Sequence, residues 1–297
     1  MTAAKILVGL LTLSGLGGVL FFLFTSAISS PVGFGIGMVA GGLYLALLLW
    51  FISRSPMWPG RGRRSNALWV ACALLAGSGG AMWLTVLPAV ALIEAATALG
   101  WDNAAASWAG GYPEEVAKAL IVALILLAFS QFDRPWHGLI VGAVVGAGFE
   151  IFENVLYGVT GAVMDPESDA VGATFTWGLR VIVGPGLHVV FAAIAGWGVG
   201  WALHKRNIGP AVGWTFAAVA LHFAWNYLMD DAAYLAKNTV VAVAMYSTII
   251  VLVRRGNRHA RTRPPGPGWV RIPYPAGPGF NTPGMSPPAP GRRTPGR

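Results

Sequence analysis

Residues 112–129 read Tyr-Pro-Glu-Glu-Val-Ala-Lys-Ala-Leu-Ile-Val-Ala-Leu-Ile-Leu-Leu-Ala-Phe. The run Ala119–Phe129 is continuously apolar. Barrel strands in a membrane alternate polar and apolar residues, and this run does not. It reads as a helix, as does Val189–Val199. Three ionisable residues, Glu114, Glu115 and Lys118, sit at its start. Charges beside so long an apolar run cost several kcal/mol in lipid and mark candidate functional positions.

The rest of the chain agrees with a membrane setting. Of its 297 residues, 55% are hydrophobic and 11% charged, where soluble domains carry about a quarter charged residues. Mean hydropathy is +0.62. This excludes a disordered chain, a coiled coil, a disulfide scaffold and an ordinary soluble enzyme. The single cysteine, Cys72, excludes an internal disulfide and a CxxC metal site. The fold class predicted is all-α, a polytopic membrane helix bundle. Apolar windows place eight spans near 6–28, 32–53, 67–87, 113–130, 136–158, 186–204, 209–229 and 236–253.

If these spans alternate, every Lys and Arg except Lys118, Arg180 and Lys237 falls on one side. The positive-inside rule makes that side cytoplasmic and puts both termini there. The first span reads as an uncleaved anchor, because its apolar stretch is longer than a signal-peptide core and a second span follows at once. Residues 1–253 form the transmembrane domain. Residues 254–297 are rich in Pro and Arg and free of acids, the composition of a disordered tail. Topology and tail account for the net charge of +8, so nucleic acid is not a partner. Membrane lipids are.

The polar residues within or beside spans are Glu114, Glu115, Lys118, Glu150, Glu153, Asn154, Arg180, His188, His222 and Asn226. With alternating spans, four segments far apart in sequence bring carboxylates, imidazoles and amides to one depth near the outer leaflet. Glu150, Glu153, Asn154 and Tyr157 fall at i, i+3, i+4 and i+7, one stripe on an apolar helix. His222 and Asn226 share a face four residues apart. Each piece also has a plainer explanation. Pro113, Glu114 and Glu115 suit the first turn of a helix. A lone histidine is commonly a structural hydrogen-bonder. Arg180 either snorkels to the headgroups or pairs with a site carboxylate. These explanations leave the common depth unaccounted for.

Water attack on an amide requires a base, an electrophile and an oxyanion donor. Glutamates, histidines and an asparagine supply such a set around a divalent ion, zinc being the natural choice. The soluble HExxH arrangement is absent. An ion- or proton-coupled transporter uses the same residue types, though nearer the midplane and in repeated halves, and no repeat is visible. A non-catalytic membrane scaffold is the other alternative.

Glu114-Glu115-Val116-Ala117-Lys118 resembles the EExxK motif of the PrsW family of intramembrane metalloproteases. Phe149–Glu153 resembles its FxxxE motif, extended by Asn154 and Tyr157. His188 opens a glycine-rich span like the third motif, and His222–Asn226 is similar to the last, HxxxD or HxxxN. The related prenyl-protease and bacteriocin-immunity superfamily has EExxxR and FxxxH, so Lys118 and Glu153 favour the PrsW branch. The resemblance covers about residues 70–230. It implies that Glu114 or Glu115 activates water, with Asn226 supporting the intermediate or the metal. It further implies Glu153, His188 and His222 as metal ligands, and Lys118, Glu150 and Asn154 as supporting residues. A multi-pass protein of the bacterial inner membrane follows, cutting a membrane-anchored substrate such as an anti-sigma factor near the outer leaflet.

Overall fold

The computed structural model describes residues 2–60 and 63–262. Expectations for Arg61 and for the tail beyond Thr262 lie outside the described residues. Within the described residues ten α-helices follow one another: α1 (Thr2–Ser29), α2 (Pro31–Ser53), α3 (Arg63–Leu75), α4 (Ala81–Ala98), α5 (Asp102–Ala128), α6 (His137–Met164), α7 (Asp169–Val183), α8 (Leu187–Lys205), α9 (Gly209–Asn226) and α10 (Asp231–Thr262). A π-helical turn, Ala76–Gly80, joins α3 to α4 without a break. No strand occurs among the described residues.

Among the described residues, six segments are long and apolar enough to cross a membrane: Thr2–Ser29, Pro31–Ser53, Asn66–Ala98, His137–Met164, Asp169–Lys205 and Asp231–Thr262. Two of the eight expected spans, those at 113–130 and 209–229, are not among them. They correspond to α5 and α9, whose apolar runs are diluted by Glu114, Glu115, Lys118, His222 and Asn226. Polar site residues thus cost these two helices the continuous apolar length that the other spans keep.

Several boundaries differ from the sequence reading. The third span, expected at 67–87, runs on to Ala98. Helix α5 begins at Asp102, so Pro113 lies inside it and Glu114–Glu115 do not cap a helix start. The preceding stretch, Asp102–Tyr112, is polar or small and has no apolar period to announce it. The span expected at 186–204 is preceded by α7, which carries Arg180 and breaks at Gly184-Pro185-Gly186. Helix α10 continues to Thr262, nine residues past the expected end of the domain at 253.

Small residues decide the packing. The interface between α6 and α8 is the most extensive in the bundle. A Cβ at Gly138, Gly142 or Gly146 would lie 2.1, 2.2 and 2.2 Å from the carbonyl oxygens of Gly196, Ala192 and His188. Backbone-to-backbone contact at this spacing is how membrane helices associate without a hydrophobic drive. It also draws the first turn of α8 onto α6 beside Glu150. Around the α6–α8 core, α1 and α2 turn large apolar side chains such as Leu13, Phe24 and Leu43 outward, as lipid requires. Gly146→Ala is expected to destabilise the bundle by about 1–3 kcal/mol, the usual cost of overpacking. A thermal melt in detergent measures it, and an unchanged midpoint would show that the seam gives way freely.

Candidate metal centre

Five helices converge at one end of the bundle. Helix α5 supplies Glu114, Glu115 and Lys118; α6 supplies Glu150, Glu153 and Asn154. Helix α7 supplies Arg180, α8 His188, and α9 His222 and Asn226. All the residues singled out from the sequence for this site therefore meet.

Lys118 is fully buried at its centre. Its Nζ lies 2.6 Å from Glu115 Oε1, 3.0 Å from His188 Nδ1 and 3.4 Å from Glu114 Oε2. It also sits 4.2 Å above the Phe149 ring. Glu115 is completely buried. Its Oε1 lies 2.9 Å from His222 Nδ1, while its Oε2 has no partner. Glu114 is the more open of the two, with 14% of its side chain exposed. The i, i+1 relation turns the two carboxylates roughly 100° apart around the helix, so they meet different partners.

His188 is held from two directions. Its backbone N–H donates to Glu150 Oε2 at 2.8 Å, and its Nε2 lies 2.8 Å from Glu153 Oε2. Its Nδ1 lies 3.6 Å from Glu114 Oε2. The His188 and His222 rings are 5.1 Å apart, and His222 stacks on Phe191 at 4.9 Å. Arg180 does pair with a site carboxylate, 2.5 Å from Glu153 Oε2. It also donates to Asn154 Oδ1 and lies over the Tyr157 ring at 4.2 Å. Asn226 Nδ2 donates to the Ala106 carbonyl at 3.4 Å.

Gly110 is a site element that lies outside the span expected at 113–130. A Cβ there would lie 2.8 Å from Asn226 Nδ2 and 3.4 Å from both Glu114 Oε1 and His222 Nε2. The missing side chain leaves a cradle into which a carboxylate, an imidazole and an amide all point. Gly111 beside it lets α5 pack directly on the Phe223 backbone of α9. Two adjacent glycines before Tyr-Pro-Glu-Glu were the available signal. Separately, the start of α5 and the residue after α9 line a half-open pocket of about 420 Å³, formed by Gly100–Ala104 and Tyr227.

Glu114, Glu115, His188 and His222 each offer one ligand atom within 4.8 Å of the others. The donor set suits a divalent ion on three grounds. Two imidazoles and a buried carboxylate with an unpartnered oxygen match a catalytic zinc set that keeps one position open. Four carboxyl groups, Glu114, Glu115, Glu150 and Glu153, face only two fixed cations, Lys118 and Arg180. The histidines carry outer partners, the usual device for aiming ring nitrogens. Glu153 lies outside this four-residue group; its Oε2 is taken by Arg180 and His188.

A multi-pass helical membrane protein with a Glu/His cluster of this kind in its interior has the parts expected of an intramembrane metalloprotease. The family model for PrsW family intramembrane metalloproteases matches residues 65–253, and the chain belongs to that family. The match contains every site helix. Comparison with curated proteins and with solved structures gives no match.

Proposed function

We propose that this protein is a zinc-dependent endopeptidase that cuts a single-pass membrane-anchored protein, anti-sigma-factor-like in class, near the outer face of a bacterial inner membrane. The observation that carries the reading is the Glu114/Glu115/His188/His222 group beside the Gly110 cradle. Glu115, His188 and His222 would hold the ion. When bound, it supplies Lewis acidity toward the scissile carbonyl and the attacking water.

The chain's own residues do the rest. Glu114, the partly exposed carboxylate, takes the proton from water and returns it to the leaving amine. Asn226, across the cradle from Glu114, donates from Nδ2 to the developing oxyanion. Lys118 balances the charge of the two adjacent glutamates. Glu150 and Glu153 fix the first turn and the ring of His188, and Arg180 with Asn154 fixes Glu153. This moves Glu153 from the ligand role implied by the family resemblance to an orienting one. Glu153→Gln is then expected to weaken zinc binding about 10–100-fold while one ion per chain still binds. Loss of zinc altogether at saturating metal would return Glu153 to the ligand set.

The test is cleavage of a reconstituted single-pass substrate by purified enzyme. Activity should vanish with a chelator and return with zinc. Cleavage indifferent to metal would remove the mechanism. The outward orientation is tested with Asp102→Cys in a Cys72→Ala background. An impermeant thiol reagent should label it in intact cells; labelling only after permeabilisation would place the site on the cytoplasmic side.

A further inference from the structure

Helix α10 contributes nothing to the Glu/His cluster, yet it holds the ends of both helices that present the histidines. Helix α9 ends at Asn226, and Tyr227 leaves it in extended conformation (φ −63°, ψ 125°), so no left-handed C-cap closes its last turn. Carbonyls left open at a helix end need a partner, all the more in a membrane setting. Lys237 provides it. Its Nζ donates to the Trp225 carbonyl at 2.9 Å and to the Tyr227 carbonyl at 2.5 Å, and it packs 4.5 Å from the Tyr234 ring. The cation also suits the negative end of the helix dipole. His222 and Asn226 lie in the turn so capped.

Further along α10, by ~13.5 Å at helical rise, Tyr246 donates from its hydroxyl to the Pro185 carbonyl at 2.9 Å. Pro185 is the middle of the break between α7 and α8. Gly186 follows with φ +72°, and no side chain caps α8. His188 is two residues on. The far end of α10 is itself anchored. Asn257 Oδ1 accepts from Ser55 at 3.2 Å, and His259 stacks on Trp136 at 6.2 Å with 4° between planes.

We propose that α10 is an external brace that sets the separation of His188 and His222, with Lys237 and Tyr246 as its positioning residues. The consequence for metal binding rests on the zinc reading above; the bracing itself does not. Lys237 is also the basic residue that departs from the one-sided distribution of loop charges, and capping gives it a reason to be there.

The test uses the full-length protein in lipid nanodiscs and the variants Lys237→Met, Lys237→Arg and Tyr246→Phe. Amide exchange is followed at 222–228 and 184–190, with zinc affinity by chelator competition and the melting midpoint of the metal-free protein. Lys237→Met should speed exchange at 222–228 and weaken zinc ~10-fold, as outer-shell losses do, at an unchanged metal-free midpoint. Lys237→Arg, which keeps a cationic donor, should restore both. Tyr246→Phe should act on 184–190 instead, and it carries the test alone if Lys237→Met fails to fold. Wild-type exchange in these segments would overturn the brace. So would zinc loss matched by an equal fall in the metal-free midpoint, or no rescue by arginine. A wild-type protein that binds no zinc would sink the metal reading, and the exchange data would then decide the brace.

Discussion

Glu114→Gln is expected to lower the rate of substrate cleavage about 10²–10⁴-fold, the contribution of a positioned general base. Fold and zinc content should stay as in the wild type. Glutamine keeps the volume and the hydrogen-bonding reach but cannot take a proton. The position is the right one to change because the buried pair survives: Lys118 keeps Glu115 at 2.6 Å. Glu115→Gln is the less clean experiment. It would leave the fully buried Lys118 with Glu114, at 3.4 Å, as its remaining carboxylate, beside the neutral contacts to His188 and Phe149. Breaking a buried ion pair by removing one partner costs roughly 3–5 kcal/mol, so lost activity there would mix chemistry with unfolding. Single-turnover cleavage by Glu114→Gln beside wild type, with zinc measured on the same preparations, decides the matter. Full activity at normal zinc would take Glu114 out of the mechanism.

His222→Ala is expected to lower zinc affinity by more than the ~10–100-fold that outer-shell changes cost, because a direct ligand goes. The metal-free protein should still fold. The Glu115–Lys118 pair does not depend on the imidazole, and the lost contacts are a hydrogen bond at 2.9 Å, a stack on Phe191 and an edge contact with the His188 ring. Metal content of purified wild type, His222→Ala and His188→Ala gives the answer. About one zinc per chain in the wild type and little in either variant would join α8 and α9 into one centre. Wild-type stoichiometry and affinity in His222→Ala would make that histidine structural. The pair of experiments separates roles: Glu114→Gln removes turnover and keeps metal, while His222→Ala removes both.

The site was largely legible because ionisable residues in apolar helices are rare and costly, so each one stood out against its surroundings. Glu150, Glu153 and Asn154 declared a shared face through helical spacing, and His222 with Asn226 did the same. Gly110 was not legible. A glycine contributes a site by what it lacks, and only the neighbours across the gap show that Glu114, His222 and Asn226 converge there. Arg180 stands between two readings in the sequence, since Ser168 and Gly184 mark the ends of α7 but nothing in the sequence shows that α7 packs on α6 beside Glu153. Lys237 looked like a stray charge until the open end of α9 came beside it.

By itself the sequence determined that the chain is a bundle of apolar helices with carboxylates, imidazoles and amides gathered near one end. Transfer free energy into lipid is a property of each segment alone and can be summed along the chain. Tertiary structure decided which partner each group takes. Lys118 lies among Glu114, Glu115 and His188, Glu153 between Arg180 and His188, and Glu115 keeps one oxygen unpartnered. Those pairings depend on helix rotations and separations of a few ångströms. Backbone contacts at Gly138, Gly142 and Gly146, and the hold of α10 on its neighbours, set them through residues distant in the chain from the groups they place.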